Sequence, residues 1–217
     1  MILDRVLGCA SGAPQLHSCG CKIRSMLEDL FNPDVLRPNL IKASVYIAAF
    51  EVLKSTIVQR IKSFYTLGPR IDQPKYESEV LSKDPKGKKR HVHASLAWLK
   101  ESEAIDDDDI IIYERVKELR DKLAHQMAPL MIDGLPADLP TRFLEMIRLL
   151  DKIGKWWIVN VDSTEQVDES SVMPGPIFGL QLMFQTAFGS EEDSRKFLED
   201  FRKLTGEQRN RRITSIQ

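Results

Sequence analysis

At 217 residues the chain is long enough for one sizeable core, and 42% hydrophobic with 29% charged residues is the make-up of an ordinary folded protein. A formal net charge of −1 excludes a globally basic nucleic-acid binder, so any contact with RNA or DNA must come from a local patch. No apolar run approaches the roughly 18 residues that a membrane span needs.

The opening MILDRVLGCAS carries a faint lipoprotein-like VLGC, but Asp4 and Arg5 interrupt the short stretch before Cys9 and no apolar core precedes it. A secretion signal is not expected, and the location expected is cytoplasmic. Cys9, Cys19 and Cys21 are the 3 cysteines, an odd count that argues against a disulfide framework. With His17 they form C-x7-H-x-C-x-C, four potential zinc ligands. Structural zinc sites draw on two short ligand pairs with a longer loop between them. This crowded cluster fits that poorly, so reduced thiols are expected and no metal or other cofactor.

Residues 1–38 read as an irregular segment, punctuated by Pro14, Pro33 and Pro38. Asn39 then looks like the N-cap of a long helix over residues 40–65, free of Gly and Pro. Its apolar face is Val45, Ala49, Val52, Thr56, Ile57 and Ile61, widened by Ala48, Leu53 and Phe64, and Gly68-Pro69 stops it. Glu51 and Lys54 on this helix either face a functional site or form an exposed i,i+3 ion pair, the second being the ordinary outcome.

Residues 70–93 read as an exposed loop containing KGKKRHVH. Its Lys86, Lys88, Lys89 and Arg90 are candidates for tracking an RNA backbone, against the alternative of a merely solvated loop. His91 and His93 have no third ligand nearby and read as loop histidines. ASLAWLKESEAI makes a short helix, and Asp106, Asp107, Asp108 and Asp109 cap the next, over residues 107–128. The stripe there is Ile112, Val116, Leu119, Leu123 and Met127, with Pro129 marking the end. Residues 140–157 form a further helix with Phe143, Met146, Ile147, Leu150 and Ile153 inward, and Trp156-Trp157 as core or dimer surface. WWIVNVDS can finish as a short extended piece. Beyond Pro174-Gly175-Pro176, two short helices are expected, IFGLQLMFQTAF and EEDSRKFLEDFRKL, and then a fraying basic tail. The class is all-α, a bundle of about five to seven helices.

Within KELRDKLAHQ, Arg120 and His125 stand five apart, about 140° around a helix. Arg120 flanks the apolar stripe and His125 points almost opposite its centre. Asp121 and His125 are four apart, so the carboxylate can reach the imidazole and fix its tautomer. Cations near a helix C-terminus are also ordinary helix chemistry.

Context adds to this. ELRDKLAH resembles the signature of the HEPN superfamily of small helical domains: Arg, a polar residue, three more residues, then His, near the end of a core helix. Arg120, Asp121 and His125 match it. ASVYIAAFEVLKSTIVQRI looks like that family's opening helix, and SLAWLKESEAI like the short helix before the signature. The resemblance covers residues 39–157; residues 1–38 and the helical extension and tail over 158–217 lie outside it. It implies a HEPN-like bundle with the motif at the end of a core helix. The activity it implies is a metal-independent endoribonuclease of toxin, abortive-infection or phage-defence type. The site would form where two copies of the motif meet in a homodimer, with His125 in proton transfer, Arg120 as phosphate clamp and Asp121 orienting His125. It also implies RNA as substrate and an antitoxin or other regulatory protein as partner. One toxin branch carries a tyrosine two residues after the histidine, which its antitoxin modifies; here that position is Met127. The competing reading is a catalytically inactive module that binds a partner protein or nucleotide.

Overall fold

The computed structural model describes residues 32–66, 73–163, 168 and 172–214, and among them every regular element is helical. Eight α-helices follow one another: α1 (Pro33–Thr66), α2 (Gln73–Glu79), α3 (His91–Glu101), α4 (Asp107–His125), α5 (Met127–Asp133), α6 (Leu139–Trp157), α7 (Gly175–Phe188) and α8 (Glu191–Thr214). The all-α class is the one expected. Six of the helices are 11 residues or longer, and α2 and α5 are short pieces of 7 residues each. The Cys9, His17, Cys19 and Cys21 cluster lies outside the described residues.

α1 begins earlier than the proline pattern suggests, crossing the expected boundary at residue 38. The capping role expected of Asn39 belongs to Asn32, whose Oδ1 accepts the Asp34 amide at 3.0 Å. Pro33 occupies the first helical position, where its fixed φ suits the helix and its missing N–H is no loss. Pro38 removes only the bond to the carbonyl of the solvent-exposed Asp34, and the helix runs through it. The buried face is also rotated slightly from the expected one. Ala43, Tyr46, Ala49, Phe50, Leu53, Ile57 and Ile61 are inside, while Ala48 and Phe64 are exposed. Tyr46 can be buried because its hydroxyl donates to the Val116 carbonyl of α4 at 3.1 Å.

Around α1 the core is aromatic. Phe50 lies 5.8 Å from Tyr113 of α4, and Tyr46 meets Phe143 of α6 edge-on at 6.0 Å. Trp98 of α3 stacks on the buried Trp157 at 5.8 Å, so the second tryptophan of the expected pair is core. The expected inward residues of α6 (Phe143, Met146, Ile147, Leu150 and Ile153) are all buried. α7 adds Ile177 and Leu180 to the same core, with Phe184 and Phe188 at 5.3 and 5.7 Å from Phe143.

Three local expectations are corrected. The exposed loop over residues 70–93 contains α2 and a 3-10 turn, Leu81–Lys83, and then closes around a carboxylate. Asp84, whose side chain is wholly buried, accepts the backbone amides of Lys86, Lys88 and Arg90 at 3.0 to 3.2 Å. It also accepts the Arg90 guanidinium at 2.7 and 3.2 Å. The chain wraps this tightly because Gly87 and Lys89 adopt φ of 63° and 52°. Next, WWIVNVDS is not extended: α6 widens into a π turn, Ile158–Asp162, closed by the Ser163 amide on the Ile158 carbonyl at 2.9 Å. Its β-branched residues suggested a strand, but no neighbouring strand exists among the described residues to pair with it. Last, the tail expected to fray continues α8 as far as Thr214.

Arg90 beside Asp84 holds the Asp84 carboxyl well below the usual carboxylate range. A depressed carboxyl stabilises the fold above its unfolded value, about 3.9, and that contribution is lost as pH falls further. Asp84→Asn is therefore expected to melt below the wild type at pH 7, with the gap narrowing at about pH 3. Melting curves offset equally at both pH values would contradict the assignment.

Candidate active site

α4 is a helix anchored at its N-terminal end. Asp106 caps it, accepting the Asp109 amide at 3.0 Å while the Asp109 carboxylate returns the bond to the Asp106 amide. Lys152 of α6 reaches both carboxylates, at 2.7 Å on Asp106, and this ammonium first of all lowers the Asp106 carboxyl to about 2. The buried stripe is Tyr113, Val116, Leu119 and Leu123, one position away from the expected start at Ile112.

The other end differs from expectation. α4 stops at His125, because Gln126 leaves helical geometry (φ −122°, ψ 28°), and α5 starts at Met127. Pro129, expected to mark the end, instead sits in the first turn of α5. The amide it lacks has no intrahelical partner there, so the helix tolerates it. His125 is therefore the last residue of α4, three places before the expected end at Ala128.

Arg120 is braced from three directions. Its Nη2 donates to Glu51 of α1, its Nη1 to Asp121 at 2.8 Å, and its guanidinium lies 5.0 Å over the Phe50 ring. The side chain is 24% exposed, and Nε is buried without a hydrogen-bond partner. Both carboxylates are held below their usual range, Glu51 first by Arg120 and Asp121 first by Lys117. Arg120 is raised in turn, first by Glu51. Glu51 also takes Lys54 at 3.1 Å and Asp121 takes Lys117 at 2.9 Å.

The expected Asp121–His125 contact is not formed. Both oxygens of Asp121 are taken by Lys117, spaced from it as His125 is, and by the adjacent Arg120, and both of these carry full charges. His125 is exposed, and its side chain makes no hydrogen bond or ion pair among the described residues. The divergence of Arg120 and His125 therefore stands: one half-buried against α1, the other facing solvent.

Of the basic stretch, Arg90 is committed to Asp84, Lys89 lies 3.7 Å from Glu77, and Lys86 and Lys88 are exposed. His91 and His93 are not loop residues but open α3. His91 stacks on Tyr76 at 6.0 Å, and His93 Nε2 lies 3.4 Å from Glu114. No cluster of metal-ligating side chains exists among the described residues. None of their helices is long and apolar enough to cross a membrane.

Sequence reasoning left Glu51 as half of a surface ion pair; the pair forms, and Glu51 also reaches Arg120. The available signal was its place beside Phe50, at the rim of a buried face, where a carboxylate needs a cation. No family model, no curated protein and no solved structure matches this chain.

The two motif residues should respond differently to truncation. Arg120→Ala leaves Glu51 and Asp121 without their shared cation and is expected to cost about 1–3 kcal/mol. His125→Ala should stay within about 0.5 kcal/mol of the wild type. Urea unfolding at neutral pH measures both, and equal losses would show that the two positions share one environment.

Proposed function

We propose that this chain is a metal-independent endoribonuclease of toxin or anti-phage defence type, working on cytoplasmic RNA as a homodimer. One observation carries the reading: α4 presents a guanidinium held rigid by two carboxylates and a ring, and ends five residues later on an exposed imidazole without a partner among the described residues. The first is what a phosphate clamp requires and the second is what proton transfer requires. They diverge on one helix, so a single copy does not close the site. A second copy across a two-fold axis brings an identical pair.

The chemistry follows from that arrangement. His125 of one copy takes the proton of a ribose 2′-hydroxyl, and O2′ forms a bond to the neighbouring phosphorus. The bond from phosphorus to O5′ breaks as His125 of the second copy delivers a proton to the departing oxygen. Arg120 carries the charge that builds on the phosphoryl oxygens. The products are a 2′,3′-cyclic phosphate and a 5′-hydroxyl, and DNA, which lacks the nucleophile, is not cut. Asp121 is a positioning residue for Arg120 and Lys117 in this scheme, not for the imidazole. An antitoxin or other regulatory protein is the partner that this activity implies. With Met127 two places beyond His125, control by tyrosine modification there is not proposed.

A second reading has its own support. Both terminal nitrogens of Arg120 already donate to carboxylates. A guanidinium so occupied also suits a catalytically inactive module that binds a partner protein or nucleotide.

Expression in cells separates the two. The wild type is expected to be toxic and to fragment RNA into cyclic-phosphate ends. His125→Ala should lose about 10²- to 10⁴-fold in cleavage rate while remaining folded. EDTA should leave the rate unchanged, since every step uses side chains. Wild-type protein that leaves RNA intact, or an active His125→Ala variant, would remove the enzyme and leave the binding module.

Sedimentation at micromolar concentration should show a dimer. A fully active monomer would overturn the composite site.

A further inference from the structure

Beside Arg120, between α1, α3 and α4, lies an open hollow of about 260 Å³. Lys54, Arg90, His91, His93, Lys117 and Arg120 line it together with Phe50, Val92 and Tyr113, and among the described residues no carboxylate does. The carboxylates that pair with these cations are not part of the lining. In the chain Lys54–Glu51–Arg120–Asp121–Lys117, three cations meet two carboxylates, leaving a net charge of +1. Arg90 and Asp84 cancel, and Glu114, which lies against His93, offsets the remaining charge while the imidazoles are neutral. The hollow is therefore cationic through which groups line it and not through a net excess. These ion pairs fix the cationic heads around the hollow before anything binds.

The hollow has a second source of positive potential. α3, 11 residues long, begins in its wall, and His91, Val92 and His93 are its first three residues. Arg90 precedes them as N-cap and makes no side-chain capping bond. Their amides have no intrahelical acceptor, and the helix end adds roughly half a positive charge. Backbone donors from one side, with guanidinium and ammonium groups from the others, match the several acceptor oxygens of a phosphate.

We propose that this hollow is a phosphate-binding subsite. Resting on the ribonuclease reading, the group it takes is a backbone phosphate of the strand next to the one being cleaved. The strand would thus be gripped at two phosphates, one on Arg120 and one at the start of α3. Lys54, Lys117, His91 and His93 then take part in substrate binding.

The test is binding, read separately from cleavage. The probe is a fluorescently labelled 2′-O-methyl RNA of about ten nucleotides, which lacks the attacking hydroxyl and cannot be cut. His91→Glu places a carboxylate in the first turn of α3, where the helix dipole favours it, and so fills the subsite at the loss of the His91 contacts with Tyr76. Lys117→Gln removes one cation from the opposite wall. Each should weaken the probe's affinity by about five- to tenfold, and Lys117→Gln should lower the salt slope by about 0.7. Lys196→Gln, exposed on α8 and remote from the hollow, should change neither. Amide resonances of His91, Val92 and His93 should shift on titration with the probe.

Wild-type affinity in both folded variants would overturn the subsite, as would shifts confined to other amides. Adenosine 5′-monophosphate competing as well as the oligonucleotide would assign the hollow to a free nucleotide and overturn the strand assignment. Binding that depends on His91 and Lys117 in a protein that never cuts RNA supports the subsite, while the ribonuclease reading falls.

Discussion

The candidate site depends on one contact, the meeting of Phe50 and Glu51 on α1 with Arg120 on α4. Adjacent residues on a helix point about 100° apart, so Phe50 can enter the core while Glu51 stands at its rim. Arg120 spans the two, its guanidinium plane over the ring and one terminal nitrogen on the carboxylate. Exposed ion pairs contribute little on their own. This one is anchored by an aromatic face, and Asp121 constrains the same guanidinium from the other side. The result is a cation whose direction is set by tertiary packing rather than by its own rotamer preferences.

Much of the fold was readable because the largest effects are local. The Asp106 cap, the α6 stripe and the short helix before α4 follow from capping and periodicity, and each forms. The misses share a cause as well. Pro38 was read as a breaker, yet near a helix start only one exposed carbonyl loses its partner. Pro74, Pro85, Gly87 and the KGKKRHVH run give residues 70–93 the look of a loop, but one buried aspartate supplies acceptors for three amides and a guanidinium. A side chain organising backbone around itself leaves no periodic trace. The α4–α5 break at Gln126 and the π turn after Trp157 leave no periodic trace either.

For the site, spacing alone gave the divergence of Arg120 and His125, since both lie on one helix and helix geometry is fixed. It did not give the partner of Asp121. Lys117 and His125 are equally spaced from it, and Arg120 is adjacent; the two permanent cations win over an imidazole on the exposed last turn. Nor could spacing bring Glu51 to Arg120 across 69 residues of chain, or His91 and Lys117 to the walls of one hollow. Those are products of how α1, α3 and α4 pack.

Tyr46 grips the carbonyl of Val116, the same carbonyl that receives the helical bond from the Arg120 amide four residues on. That turn of α4 is thus tied to α1 through a buried hydroxyl, whereas Ala124, His125 and Gln126 beyond it are all exposed. Hydrogen-exchange protection should therefore fall steeply along a single helix, since exposed end turns open locally and cored turns open only when the domain does. The arginine lives on the slow side of that gradient and the histidine on the fast side. One residue keeps its place for as long as the protein is folded, while the other samples its orientations many times within that lifetime.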